Sequence, residues 1–237
     1  MIYGAVLAGG VGSRMKLADM PKQFLPLGSK PIMVHTIEKF LANDRFDVVY
    51  AGVNKDWLLY FEDLLQKHGI DDSRLRVVAG GRDRNETIMN IIADIEANGG
   101  VKEEDVIVTH DAVRPFVSAR MIQENIDAAL TYGMVDTVIP ATDTIVVSED
   151  GESISSIPRR DQQFQGQTPQ SFNIRLLKSL YDALSDEQKA ELTDACKICT
   201  LAGKKVRLVE GETYNIKITT VNDYKIAQSI IGGAIEK

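Results

Sequence analysis

The chain has 237 residues, 27 basic and 34 acidic, for a net charge of −7, and is 44% hydrophobic and 26% charged. These are ordinary globular values: they exclude a disordered or fibrous chain, and the acidic balance argues against nucleic acid or an anionic membrane as partner. No stretch approaches the ~20 apolar residues of a membrane span or the pattern of a signal peptide, and a lone pair of cysteines, Cys196 and Cys199, fits a reducing, cytoplasmic setting.

In chain order, β-rich runs are predicted at 2–7, 47–53, 75–79, 105–110 and 135–140, with helices between them at 31–42, 57–67, 84–98 and 119–132. In the third helix Ile88, Ile91, Ile92 and Ile95 stand at helical spacing and define one apolar face. Strand–helix–strand repeats of this length predict an α/β fold with a mostly parallel sheet and helices on both faces. In such sheets ligands bind beyond the carboxyl ends of the strands.

After Pro140 the pattern changes. Two short strands at 144–148 and 153–157, joined by Glu149-Asp150-Gly151, predict a protruding β-arm within 141–165 of a single 1–237 domain. Further on, helix resumes from Ile174, Ser185 to Gln188 spell a capping box, strands are predicted at 206–209 and 214–219, and a last helix begins near Val221.

Five segments carry chemistry. The first strand runs into Leu7-Ala8-Gly9-Gly10-Val11-Gly12-Ser13-Arg14-Met15, whose glycines uncover backbone N–H groups that suit a triphosphate. A Walker A lysine is missing, and Met15 stands where a dinucleotide fingerprint needs glycine. Pro21-Lys22-Gln23 adds a second cation, and a loop this long between strand and helix is usually functional. Gly80-Gly81-Arg82-Asp83 through Thr87 forms another glycine turn, fit for a nucleobase or ribose, although Asp83 or Asn85 capping a helix would explain it as well. Asp111, in Thr109-His110-Asp111-Ala112-Val113-Arg114-Pro115, stands at a strand end suited to Mg²⁺; pairing with Arg114 is its ordinary alternative. Arg159-Arg160 and Gln167-Thr168-Pro169-Gln170 follow the arm, and Asn215-Ile216-Lys217-Ile218-Thr219 alternates, with Asn215, Lys217 and Thr219 on one side. Cys196 and Cys199 read as two small buried hydrophobes on a helix.

These segments, from Leu7 to Thr219, follow the order of one family. The chain resembles the cytidylyltransferases that act on 2-C-methyl-D-erythritol 4-phosphate or ribitol 5-phosphate. The resemblance implies a Rossmann-like three-layer αβα nucleotidyltransferase fold and a homodimer made through the β-arm. It implies catalytic cations Arg14, Lys22 and Lys217, with Asp111 as the Mg²⁺ carboxylate. CTP would be bound by Leu7, Ala8, Gly9, Gly10, Gly12, Gly80, Gly81, Arg82, Asp83, Thr87, Asp111 and Ala112. The polyol phosphate would meet Thr144, Arg160, Thr168 and Thr193.

Two departures bear on the second substrate. The arm ends in Phe164-Gln165-Gly166-Gln167-Thr168, where the methylerythritol enzymes tend to have Leu-Trp-x-Ala. Thr193-Asp194-Ala195-Cys196 stands where they carry Thr-Asp-Asp/Glu-Ala. Both favour D-ribitol 5-phosphate, with CDP-ribitol and pyrophosphate as products for teichoic-acid synthesis, over methylerythritol 4-phosphate. A nucleotide-binding regulatory protein without turnover is the alternative of another class, and the presence of Arg14, Lys22 and Lys217 argues against it.

Overall fold

Strand β1 (Ile2–Ala8), buried along nearly its whole length, is the axis of the computed structural model, which describes residues 1–10 and 20–233. Gly12 and Arg14, with the rest of 11–19, lie outside the described residues. A short hairpin of β2 (Pro26–Leu27) and β3 (Lys30–Pro31) leads into α1 (Ile32–Leu41). The predicted alternation follows: β4 (Val48–Val53), α2 (Leu58–Lys67), β5 (Leu75–Ala79), α3 (Arg84–Ala97), β6 (Val106–Asp111), α4 (Ala119–Tyr132) and β7 (Met134–Pro140). The chain ends with β8 (Phe164–Asn173), α5 (Ile174–Asp182), α6 (Asp186–Ala190), α7 (Ala195–Leu201), β9 (Arg207–Glu210) and α8 (Val221–Gly233).

The main sheet has the order β5-β4-β1-β6-β8-β7-β9, and only β8 runs antiparallel to its neighbours. One face packs Phe40, Phe46, Phe61 and Met121 of the α1, α2 and α4 side. The other packs the four isoleucines of α3 with Ile107, Phe172, Leu177, Cys196 and Cys199. Both thiols are free and buried, as two small hydrophobes should be. Local signals set the helix ends: Ser118 caps α4, Gly133 at φ 78° closes it, and Ser185 with Gln188 forms the predicted capping box.

Two expectations need correction. No strand forms over 214–219. Ile218 donates its N–H to the Val113 carbonyl at 2.9 Å, and Asn215 donates to the Thr168 carbonyl at 2.8 Å, so side-chain and loop contacts replace a ladder. Asn215 and Ile218 are the buried residues of that segment, a spacing of three rather than two. The arm carries one isolated bridge, Val147 to Ser156, in place of two strands; its tip is tied by Asp150, which accepts from the Glu152 and Ser153 N–H groups. In addition, 164–173, to which the sequence assigns motifs but no element, is the antiparallel strand β8 inside the sheet. Its Pro169 lacks a donor and is accommodated where the pairing with β7 shifts register between Asp136 and Val138.

Candidate active site

The carboxyl ends of β1, β5 and β6 open into one cleft of about 370 Å³. Its lining unites Leu7, Ala8, Gly9, Gly10, Lys22, Arg82, Asp83, Thr87, Asp111, Ala112 and Lys217 of the predicted set, and adds Gln23, Arg84 and Val113.

The two glycine turns touch. A Cβ on Gly80 would lie 3.0 Å from the Gly9 Cα, and one on Gly9 would lie 2.7 Å from Thr87 Oγ1. Only residues without side chains let the loops approach so closely. Thr87 locks them: its hydroxyl donates to the Asp83 carbonyl at 2.8 Å and accepts from the Gly81 N–H at 3.0 Å. Asp83 caps α3, accepting from the Glu86 N–H at 2.8 Å, so the capping role proposed for it on sequence holds alongside its place in the cleft wall. The Arg82 guanidinium points outward and pairs with Glu86. Gln23 is buried, and its amide donates to the carbonyls of Ala8 and Gly10, both at 2.9 Å. It thereby pins the start of the first glycine loop to the turn that carries Lys22.

Asp111 gathers cations. Lys217 Nζ lies 2.8 Å from its carboxylate, Arg84 Nε 3.2 Å and Arg114 Nε 3.6 Å. Burial pushes this carboxyl's pKa up, but the fields of Arg84, Lys217 and Arg114 outweigh it and hold Asp111 ionised, well below the usual carboxylate range. The pairing with Arg114 is thus present together with the exposure to the cleft.

Beneath Asp111 runs a buried relay. The Asp111 N–H donates to Thr168 Oγ1 at 3.2 Å, Thr168 meets His110 Nδ1 at 2.8 Å, and His110 Nε2 meets the Arg114 carbonyl at 3.0 Å. Burial lowers the His110 pKa to about 4, so the ring is neutral. A carbonyl can only accept, so the proton sits on Nε2 and Nδ1 accepts from Thr168. Thr168 is therefore a support under the cleft floor, outside the lining. Gly80 and Gly81 frame the same wall from behind Gly9.

Thr144, Arg160 and Thr193 are not brought to the lining. Thr144 and Arg160 are exposed on the arm, where Arg160 reaches the Thr142 carbonyl at 3.4 Å; Thr193 is exposed just before α7. Arg84 and Gln23 went unassigned on sequence. The signal for Arg84 is its place as the first residue of a helix that follows a glycine turn, facing the next strand's end.

Among the described residues no group of three or more His, Cys, Asp or Glu side chains could cage a metal. The donor set fits a different mode, in which a hard divalent ion takes one carboxylate, here Asp111, and draws its other oxygens from phosphates and water.

This arrangement, glycine turns and a carboxylate–cation cluster at the carboxyl edge of a mostly parallel sheet, is that of an α/β nucleotidyltransferase. Residues 2–233 match the family described as 2-C-methyl-D-erythritol 4-phosphate cytidylyltransferase, IspD, and the chain belongs to that family. Among solved structures, 4-diphosphocytidyl-2C-methyl-D-erythritol synthase from Anaerococcus prevotii is 25% identical with a TM-score of 0.80, covering 98% of this chain and 96% of that one. The 2-C-methyl-D-erythritol 4-phosphate cytidylyltransferase of Francisella tularensis is 26% identical with a TM-score of 0.77, covering 95% and 97%. That of Thermus thermophilus, at 24% identity and a TM-score of 0.71 over 95% and 97%, shares the fold. Members of the family are CTP-dependent cytidylyltransferases, generally dependent on a divalent metal, and the chain is an enzyme of that kind. No helix among the described residues is long and apolar enough to cross a membrane.

Proposed function

We propose that the enzyme joins CTP and D-ribitol 5-phosphate to give CDP-ribitol and pyrophosphate, a step of teichoic-acid synthesis. A phosphate oxygen of the polyol phosphate attacks the α-phosphorus of CTP, and the bond to the pyrophosphate oxygen breaks. The attacking oxygen is already anionic at neutral pH, so no general base or covalent intermediate is needed, and the rate rests on positioning and charge stabilisation.

The observation that carries this reading is the clustering of Lys217, Arg84 and Arg114 around Asp111 beside two glycine turns. In it, the N–H groups of the Gly9–Gly10 turn hold the triphosphate, the Gly80–Asp83 turn, whose Gly80, Gly81 and Arg82 N–H groups are taken by Val53, Thr87 and Glu86, walls the nucleotide, and Thr87 keeps the turns in register. Lys22, Lys217 and Arg14 neutralise charge on the transferring phosphates. Asp111 holds Mg²⁺, which when bound supplies positive charge to the triphosphate. Arg160 and Thr144 enter from the arm of a second copy in a homodimer. Their exposure, and their absence from the lining of their own chain's cleft, support an action in trans.

The choice of ribitol rests on the departures at Gly166 and at Thr193-Asp194-Ala195-Cys196. Methylerythritol 4-phosphate is the second reading, favoured by the family description and by the names of the similar structures. Pyrophosphate release measured with CTP, UTP, ATP and GTP against each of the two polyol phosphates tests both. CTP with ribitol 5-phosphate should give the highest kcat/KM. A preference for methylerythritol 4-phosphate overturns the substrate, and equal turnover of UTP overturns the nucleotide site.

A further inference from the structure

The two segments that carry the sequence departures both border one residue that neither of them contains. Asp136 of β7 sits directly across from Gln170 of β8, which in turn faces Thr109 of β6. The Gln170 amide donates to Asp136 Oδ1 at 2.9 Å and to Asp194 Oδ2 at 2.8 Å. Asp136 Oδ2 lies 3.8 Å from the place a Cβ on Gly166 would occupy, so no side chain from that position packs on the half-buried carboxylate. Gly166, from the first departure, and Asp194, which the second segment shares with the methylerythritol pattern, thus flank Asp136.

This cluster adjoins the cleft through Arg84, which is part of its lining. Arg84 bonds Asp111 at 3.2 Å, reaches the Thr109 hydroxyl at 3.5 Å, and its charge also acts on Asp136. Asp136 is two strand spacings, about 10 Å, from Thr109 across the sheet, a span that an extended polyol phosphate can bridge. Two polar atoms along that path are buried without a partner: Arg84 Nη1, a donor, and Gln170 Oε1, an acceptor on a side chain only 1% exposed. The Gln170 amide cannot turn over to relieve the second, because its nitrogen already serves two carboxylates. One orphan donor, one orphan acceptor and two carboxylates call for a ligand that both accepts and donates, which is the chemistry of hydroxyl groups.

We propose that Asp136, with Gln170 and Asp194, forms the subsite for the hydroxyl end of the polyol phosphate, and that Asp136 selects a linear polyol by accepting from its terminal hydroxyl remote from the phosphate. This rests on the ribitol 5-phosphate reading above.

The test compares D-ribitol 5-phosphate with its 1-deoxy analogue, which lacks that hydroxyl, in the wild type and in Asp136→Ala, with CTP affinity measured by calorimetry. Wild type should prefer the full substrate about 10–100-fold in kcat/KM, the range of one hydrogen bond to a charged group. Asp136→Ala should turn over the two compounds equally, chiefly through a raised KM for ribitol 5-phosphate, with CTP affinity unchanged. Should that variant fail to fold, Asp136→Asn keeps the shape and a contact to Gln170, and should narrow the same ratio. A wild type that prefers methylerythritol 4-phosphate overturns the substrate reading and this inference together. A wild type that prefers ribitol 5-phosphate, with variants that keep the full discrimination against the deoxy compound, overturns the inference alone.

Discussion

Gly9→Ala should damage both stability and nucleotide binding, because the space for one methyl group is what lets the two glycine turns meet. The new Cβ would lie 2.7 Å from Thr87 Oγ1, whereas ordinary contact begins at 3.4 Å. Thr87 cannot swing aside: it is 1% exposed and its hydroxyl is held by the Asp83 carbonyl and the Gly81 N–H. Either both hydrogen bonds stretch or the Gly80–Asp83 turn moves away from β1. Overpacking of this kind costs about 1–3 kcal/mol, which for a chain of this size is a fall in Tm of roughly 2–10 °C. The same displacement should raise KM for CTP.

Thr87→Ala supplies the control. It removes the oxygen that the new methyl strikes, so Gly9→Ala should cost much less in that background, a coupling of about 1 kcal/mol or more in a double-mutant cycle. Thermal unfolding of the four proteins, with CTP titrations alongside, measures it. An equal Tm loss from Gly9→Ala in both backgrounds, or none in either, would refute the close approach as the cause.

Lys217→Ala should lower kcat by about 10²–10³ with a smaller effect on CTP binding, if its charge acts mainly on the transition state; a change confined to KM counts against that role. Burial, then Asp194, raises the Asp136 carboxyl to about 6 against the opposing Gln170 hydrogen bond and the field of Arg84, so folding takes up a proton there and the ionised form weakens the fold as pH rises from about 4 to 6. Asp136→Asn should accordingly melt above the wild type at about pH 8, the gap closing as pH falls and vanishing below roughly 4; a gap independent of pH rules out this origin. Finally, Lys22→Ala and Arg160→Ala homodimers should each be nearly inactive, and subunit exchange between them should restore activity. Proven heterodimers without recovery would return Arg160 to its own chain.

Where the sequence was transparent, the reason is local. The isoleucines of α3 carry their own period, and Ser118, Gly133 and the Ser185–Gln188 box mark helix ends through contacts within a few residues. β8 was opaque for the opposite reason. Its buried residues Gln167, Thr168, Gln170 and Ser171 are polar, satisfied in large part by bonds to residues more than twenty positions away, such as Asn215, His110 and Asn125. No periodicity records such partners. Two short β-rich runs around Asp150-Gly151 suggest a hairpin in the arm, yet its apolar Val146, Ile154 and Ile157 stand exposed with one bridge between the two sides. An isolated hairpin gains too little to hold a ladder by itself. Asp136 had no sequence signal at all: the insertion of β8 between β6 and β7 is what brings it toward the site.

The charge of the whole chain and the charge of the cleft point in opposite directions, and Asp111 explains how both stand. Lys217, Arg84 and Arg114 repel one another, and a site built of cations alone would splay or draw in solvent anions. One buried carboxylate within 3.6 Å of all three holds them together before any nucleotide arrives. It neutralises only one of their three charges, so the group keeps a surplus for phosphate oxygens, and Lys22 stands on the same lining. In water-poor surroundings such a fixed surplus acts on phosphate more strongly than mobile surface lysines would. The acidic surface elsewhere then has a use: it discourages long polyanions while the cleft, small and locally positive, admits a triphosphate. The orphaned Arg84 Nη1 fits the same logic, as a donor held dry for an oxygen that the protein itself does not provide.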